Sequence, residues 1–336
     1  MRTFRHTLTT LFAACAVALT AGAQADSHGG FEDMDPVHLR LAHVVNEQDG
    51  FHIAAVRFKE LVEQRTDGAV SVDIYPNAQL GDERTLLEGM QIGTVDMGVI
   101  TNGPVANFVE EMAVFELPFL FPDRESAYAV LDGPIGQELL DKLADVNLKG
   151  LAYAERGFRN LTNSRHAVNH PDDLDGMRLR VMENPVYVDT FRALGANAVP
   201  MAWTEALTAM QQGTIDGQEN PVNVIHSFNL NETQTHMTLS RHTYAPALFV
   251  MGLSVWEQLP AAAQDVLRDA AQEAAEHERR VNAEMEADQL AELREAGMEI
   301  VEDPDLEAFQ DAVAPVYEQY GEQFGDYLSR IREALD

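Results

Sequence analysis

Apolar residues recur along the chain with two alternating periods. Leu39-Arg40-Leu41-Ala42 alternates every second residue, as a strand with one buried face does. Phe51, Ala54, Ala55, Phe58, Leu61 and Val62 then follow the three-to-four spacing of a helix, with Gly68 beyond its end. Val70, Val72 and Ile74 alternate again before a turn at Pro76-Asn77, Leu86 to Ile92 reads as a short helix ended by Gly93, and Val95 to Ile100 as a buried strand. This β-α-β-α-β order predicts a parallel sheet covered by helices. A second half repeats it. Gly150 to Ala154 and Met177 to Met182 read as strands, two helices end at Gly195 and Gly213, and Thr243 to Leu253 reads as a strand returning to the first sheet. Pro260 to about Ala296 has no glycine or internal proline and reads as one long helix or two collinear ones. Leu306 to Leu335 reads as two helices broken near Pro315.

A length of 336 residues exceeds what one hydrophobic core usually supports, so two α/β domains are expected. Residues 1–25 have the form of a cleaved signal peptide. Arg2 and Arg5 precede an apolar run from Leu8 to Leu19, and Ala23-Gln24-Ala25 offers small residues for cleavage. The run is shorter than the ~20 residues that span a bilayer. Residues 26–36 read as a flexible lead-in. The single cysteine, Cys15, lies inside the signal, so the mature chain is expected to hold no disulfide, thiol nucleophile or cysteine metal site.

The formal net charge is −32, which excludes nucleic acid as a partner. Only three lysines, Lys59, Lys142 and Lys149, stand among the basic residues. An acidic, lysine-poor surface suits high salt, where screening relieves self-repulsion, and a halophilic setting is expected. His166 and His170 are four apart, but Pro171 argues against the helix that would align them on a metal. No nucleophile elbow, phosphate loop or zinc-protease helix is present, so no metal, no cofactor and no enzymatic activity are expected.

The candidate chemistry lies at two short segments. Arg178 and Arg180 share one face of the Met177–Met182 strand, in apolar surroundings where a guanidinium requires an anion. That anion is either an internal carboxylate or a ligand, which the planar fork of donors would bind bidentately. Asn184-Pro185 and Asn220-Pro221 both read as helix starts, with asparagine as cap and proline in the first turn. Such starts either cap plainly or attract an anion. Arg159 is a second candidate cation, and Trp203 either a core aromatic or a flat wall for a ligand.

Together these stretches resemble the substrate-binding proteins of TRAP transporters, in the branch named for C4-dicarboxylate uptake. The resemblance runs from Leu39 to the C-terminus and is carried by Tyr75 to Gly81, Leu117 to Phe121, Gly157 to Ser164, Met177 to Pro185, Ala193 to Pro200 and Asp216 to Pro221. It implies a two-domain periplasmic-binding-protein fold with a ligand cleft between domains and a long bracing helix. One domain would comprise residues 37–157 with 246–285, the other 158–245 with 286–336. It implies a monomeric, periplasmic receptor that hands a small carboxylate to membrane transporter subunits. Arg180 would form the main salt bridge to the ligand carboxylate, Asn220 would orient it, Arg159 would add a contact, and Trp203 takes the family's aromatic position. Val44 and Thr101 stand where sialic-acid or ectoine binders carry polar or acidic groups, which argues against those ligands. His43, Asn102 and Asn223 are further polar candidates. A dicarboxylate, a hydroxy acid and a sugar acid (uronate or aldonate) all remain open. So do two other readings, a sensory binding protein for the same ligands and a periplasmic enzyme on an organic acid.

Overall fold

The structure, a computed structural model, describes Phe31 and residues 34–335. The signal peptide, Cys15 and most of the lead-in lie outside the described residues.

Among the described residues, nine strands form one continuous sheet: β1 (Val37–Ala42), β2 (Val70–Tyr75), β3 (Met97–Thr101), β4 (Leu148–Asn163), β5 (Arg178–Val181), β6 (Asn197–Pro200), β7 (Gly217–Asn220), β8 (His236–Gly252) and β9 (Glu299–Val301). Their order is β2-β1-β3-β8-β4-β7-β5-β6, with β9 beside β8. The first half is parallel at β1–β2 and β1–β3, and the second at β5–β6 and β5–β7. Between them β4 and β8 run antiparallel to each other, and β8 returns antiparallel to β3. The sheet is therefore mixed rather than parallel, because each half borrows its inner strand from a chain segment that belongs to both.

Both long strands exceed their sequence-predicted spans by several residues. Their polar middles break the apolar run, since Glu155, Arg156 and Arg159 are buried there against partners rather than placed in water. Register shifts at Gly150/Ala152, Glu155/Gly157 and Arg159/Leu161 break the two-residue period further. Gly157 sits at φ 108°, a conformation other residues rarely adopt, so the bend between halves needs glycine there.

The long helix is a single one, Ala261–Glu295, about 50 Å long at 1.5 Å per residue. It braces both halves. Glu273 pairs with Arg57 and Arg65 on the helix Gly50–Arg65, Arg279 binds Asp132 and the Tyr153 carbonyl, and Glu292 meets His226 at 2.6 Å. The C-terminal stretch forms three helices, Leu306–Ala312, Ala314–Tyr320 and Gly325–Leu335, not two. The extra break follows Gly321. The last helix reaches back to the first half, where the Tyr327 hydroxyl donates to Glu138 at 2.7 Å.

The core is one connected body beneath both faces of the sheet. Phe249 lies fully buried on β8 with Phe58 against it, ring centroids 5.3 Å apart. Phe249→Ala removes that packing where the crossed strands cannot collapse around the gap. It is expected to lower unfolding free energy by about 3–5 kcal/mol, read from urea denaturation; a loss under about 1 kcal/mol would show that the site refills.

Candidate functional site

Two adjoining cavities open between the halves, with about 460 Å³ and 310 Å³ of empty space, and share Val44, Glu83, Arg180, Met182 and Trp203. Their walls come from both sides. The loop after β1, the end of β3 and the start of the helix Glu83–Ile92 supply Val44, Thr101 and Glu83. The ends of β5 and β7 and the start of the helix Trp203–Gln211 supply Arg180, Asn220 and Trp203. This is the crevice beyond the carboxyl ends of strands where α/β sheets place ligands.

Arg180 is 4% exposed, and its Nε donates to the Met201 carbonyl at 2.9 Å. Among the described residues no carboxylate lies within salt-bridge distance of it. The other buried arginines differ. Arg156 forks onto Asp49 at 2.8 and 2.7 Å, and Arg279 onto Asp132 at 2.5 and 2.9 Å. Burial pulls the Arg180 guanidinium down to about 10; Glu219 opposes the fall and Arg159 adds to it. The guanidinium carbon stands 5.6 Å from the centre of the Trp203 ring, a cation–π contact that fixes its approach from one side. Arg180 lines both cavities.

Arg178, two residues earlier on the same strand, has an internal carboxylate as its partner. It is half exposed and binds Asp216 at 2.8 Å. Arg159 lines the inner cavity, yet it is 1% exposed and tied to its own protein: Nε to Glu219, and Nη2 to the Glu219 side chain and carbonyl at 2.8 and 2.7 Å. His242 completes this cluster at 3.2 Å from Glu219. Burial alone would push Glu219 upward, but Arg159 and His242 outweigh it and hold the carboxylate below its ordinary range. Arg159 thus reaches the cavity as the charged edge of an internal pair.

Asn220 lines the inner cavity, but not as a helix cap. It ends β7, donates to Gln218 Oε1 at 2.5 Å, and leaves the cap position of the helix Val222–Ser227 to Pro221. The β-pairing of Asn220 with Asn160 holds it in the sheet one residue longer than the Asn-Pro pattern implies. Asn184 does cap: its Oδ1 accepts from the Val186 amide at 2.9 Å. Trp203 opens the helix Trp203–Gln211 and is buried against Phe228 with ring centroids 5.1 Å apart.

The remaining three candidates stand elsewhere. His43 points inward, 3.1 Å from His52, and burial drives its imidazole down to about 3, helped by His52 and Arg156. Asn102 is buried and donates to the Met112 carbonyl and to Glu116, at 3.0 and 2.6 Å. Asn223 lines a separate cavity of about 230 Å³ against the long helix, with Arg124, Glu155, Asn282 and Gln289. His43 and Asn102 are turned inward by packing that local pattern does not carry, whereas Asn223 faces a cavity other than the one Arg180 lines.

Glu83 is the cavity residue that sequence reasoning passed over. In Asp82-Glu83-Arg84 it reads as an ordinary acid in a helix's first turn, and Asp82 does cap that helix. The fold turns Glu83 inward, where its Oε1 accepts the Thr101 amide at 2.7 Å. Burial raises its pKa, and that amide together with Arg156 and Arg180 offsets the rise only in part.

The chain is similar to known proteins over nearly its whole described length. The family described as bacterial extracellular solute-binding protein, family 7, matches residues 41–323. A solute-binding protein of Verminephrobacter eiseniae is 43% identical over 299 residues, 89% of each chain. A TRAP periplasmic solute binding protein of a Polaromonas species, bound to D-erythronate, has a TM-score of 0.86 at 38% identity, covering 88% of this chain and 98% of its own. The sugar acid binding protein of Advenella mimigardefordensis, in complex with galactonate, has a TM-score of 0.88 at 35% identity, covering 90% and 99%.

Below the cleft, Glu116 joins the halves. Its carboxyl accepts from Asn102 on one side and from the Tyr187 hydroxyl, at 2.7 Å, on the other. Burial lifts it to about 7 against an ordinary 4.5, with both hydrogen bonds opposing. A carboxyl raised by folding contributes most stability below pH 4.5 and loses that contribution as pH rises through about 7. Glu116→Gln stays neutral throughout. Its stability relative to the parent is therefore expected to rise by on the order of 1–3 kcal/mol between pH 5 and 8 in paired urea titrations. A difference that does not change with pH would remove Glu116 as the titrating group.

Proposed function

The chain belongs to family 7 of the bacterial extracellular solute-binding proteins, and on that footing we propose that it is the periplasmic receptor of a TRAP transporter for a small organic acid. The observation that carries this reading is the buried Arg180 guanidinium, which borders the cleft and has no carboxylate partner among the described residues. A desolvated cation of that kind favours a ligand carboxylate on its free fork. Asn220 orients the carboxylate, Trp203 walls the site, and Arg159 presents the edge of its internal pair. Closure of the two lobes removes water and strengthens the contact. The lobes are residues 37–157 with 246–285, and 158–245 with 286–336 apart from the last helix. The signal is cleaved, the receptor acts as a monomer, and it captures and releases its ligand to the membrane subunits without turning it over.

Within the acids left open, a hydroxylated monocarboxylate fits best. Glu83 lines the same two cavities as Arg180 and contributes an acceptor, suited to ligand hydroxyls, and a like charge that opposes a second carboxylate. D-erythronate and galactonate, bound by two relatives, have that composition of one carboxylate and several hydroxyls.

Arg180→Ala is expected to weaken binding of such an acid by about 2–5 kcal/mol, beyond detection by calorimetry at ordinary protein concentrations. Arg180→Lys recovers little, since a point charge does not reproduce the fork. Affinity within twofold of the parent in the alanine variant would refute the assignment.

Glu83→Gln keeps the acceptor for Thr101 and removes the charge. Thermal-shift screening of aldonates against succinate and malate is expected to show the parent preferring aldonates and the variant narrowing that preference. An unchanged ratio would deny Glu83 a part in selecting the ligand.

A further inference from the structure

The lobes also hold each other directly along the larger cavity, whose lining includes Asn107 and Glu183 as well as Arg180. Asn107, on the first lobe, donates from Nδ2 to the Glu183 carbonyl at 2.7 Å. Asn184, on the second, donates from Nδ2 to the Gly103 carbonyl at 3.0 Å. The two bonds are reciprocal, since segment 103–107 gives one donor and one acceptor to segment 183–184 and receives the same in return. Backbone approach is close here. A Cβ on Gly103 would lie 2.9 Å from Met182 Cε and 3.1 Å from Sδ, across the cleft. A third bond of the same type, Asn46 Nδ2 to the Ser227 carbonyl at 2.9 Å, joins the lobes at another point.

We propose that Asn107 and Asn184 form a latch that sets how long the receptor stays closed, as positioning residues that act on lobe closure and not on ligand recognition. The argument is geometric. Each donor is an amide whose acceptor is a backbone carbonyl, so the latch reads no side chain and no ligand group. Glu183 and Gly103 carbonyls return to water when the lobes part, so the bonds exist only in the closed form and their loss falls on the opening rate. Asn184 carries two duties at once: Oδ1 caps the helix Pro185–Ala193 and Nδ2 crosses the cleft. The helix behind the Arg180 strand is thereby tied to the opposite lobe. This proposal rests on the receptor reading in that closure must enclose a ligand.

The test uses neutral replacements, so the field at an anion site is unchanged. Asn184→Ser keeps a good cap and is too short to cross the cleft, and Asn107→Ala removes the other donor. Galactonate is the probe, followed by Trp203 fluorescence in a stopped-flow instrument, alongside small-angle X-ray scattering of each protein. Each variant is expected to release galactonate about fivefold to tenfold faster, the scale of one net hydrogen bond, with association within about twofold and ligand-free melting within about 2 °C of the parent. The double variant releases it faster than either single one. Unchanged release rates in both single variants overturn the latch. So does a loss confined to association together with lower ligand-free melting, which marks a structural defect. If the parent does not bind galactonate, the choice of ligand fails and the scattering decides: a double variant more expanded than the parent upholds the latch, and identical profiles refute it.

Discussion

A guanidinium taken out of water with no carboxylate within salt-bridge distance is unfavourable, and among the described residues Arg180 is held in that condition at the cleft. Desolvation of an unpaired charge costs several kcal/mol, so folding must over-determine the position to hold it. Three features do so. The strand β5 fixes the backbone between β6 and β7. The Met201 carbonyl takes the Nε donor, and the Trp203 ring limits the approach on one side. The residue so held lines both cavities of the cleft. The same residue type two positions earlier, Arg178, has no such role because Asp216 is within reach and solvent covers the remainder. Burial and partner, not identity, separate the two arginines.

Around this site the protein satisfies its other buried charges internally. Arg156 with Asp49, Arg159 with Glu219 and His242, and Arg279 with Asp132 all lie at or near the segments where the chain passes between lobes. Each pair is worth little net stability against an apolar replacement, yet each would be costly to leave half-made. They hold the crossing strands in one arrangement, and Gly157 lets β4 bend there. The result is a rigid spine of β4, β8 and the long helix, from which the two halves of the cleft are suspended. The reciprocal bonds of Asn107 to Glu183 and Asn184 to Gly103 join the halves apart from that spine.

The local elements were largely legible. Alternation marked β1 and β2, helical spacing marked Gly50–Arg65 and Ala261–Glu295, and glycines closed helices near Gly93, Gly195 and Gly213. Failures cluster where a residue's surroundings come from distant chain. The middles of β4 and β8 carry charges that break the apolar period, although their partners lie far along the chain, as in Arg156 with Asp49 and Arg159 with Glu219. Asn220 looked like a cap, and its pairing with Asn160 kept it in the sheet. His43 and Asn102 looked available after strands and are turned inward by His52 and Glu116. Glu83 had the opposite fate, an acid that reads as surface and faces the cleft.

From the chain alone, the two-lobed α/β class, the long helix, the resemblance to a receptor family and the Arg180 segment could be read, because they depend on short-range periodicity and on motifs a few residues long. Only the folded chain decides which buried arginine has no carboxylate partner among the described residues, that Glu83 lines the same cavities, and that Asn107 reaches Glu183 and Asn184 reaches Gly103. Those facts depend on distances between residues far apart in sequence. Local pattern specifies which way a side chain leaves its own strand or helix, but not what stands opposite when two lobes close.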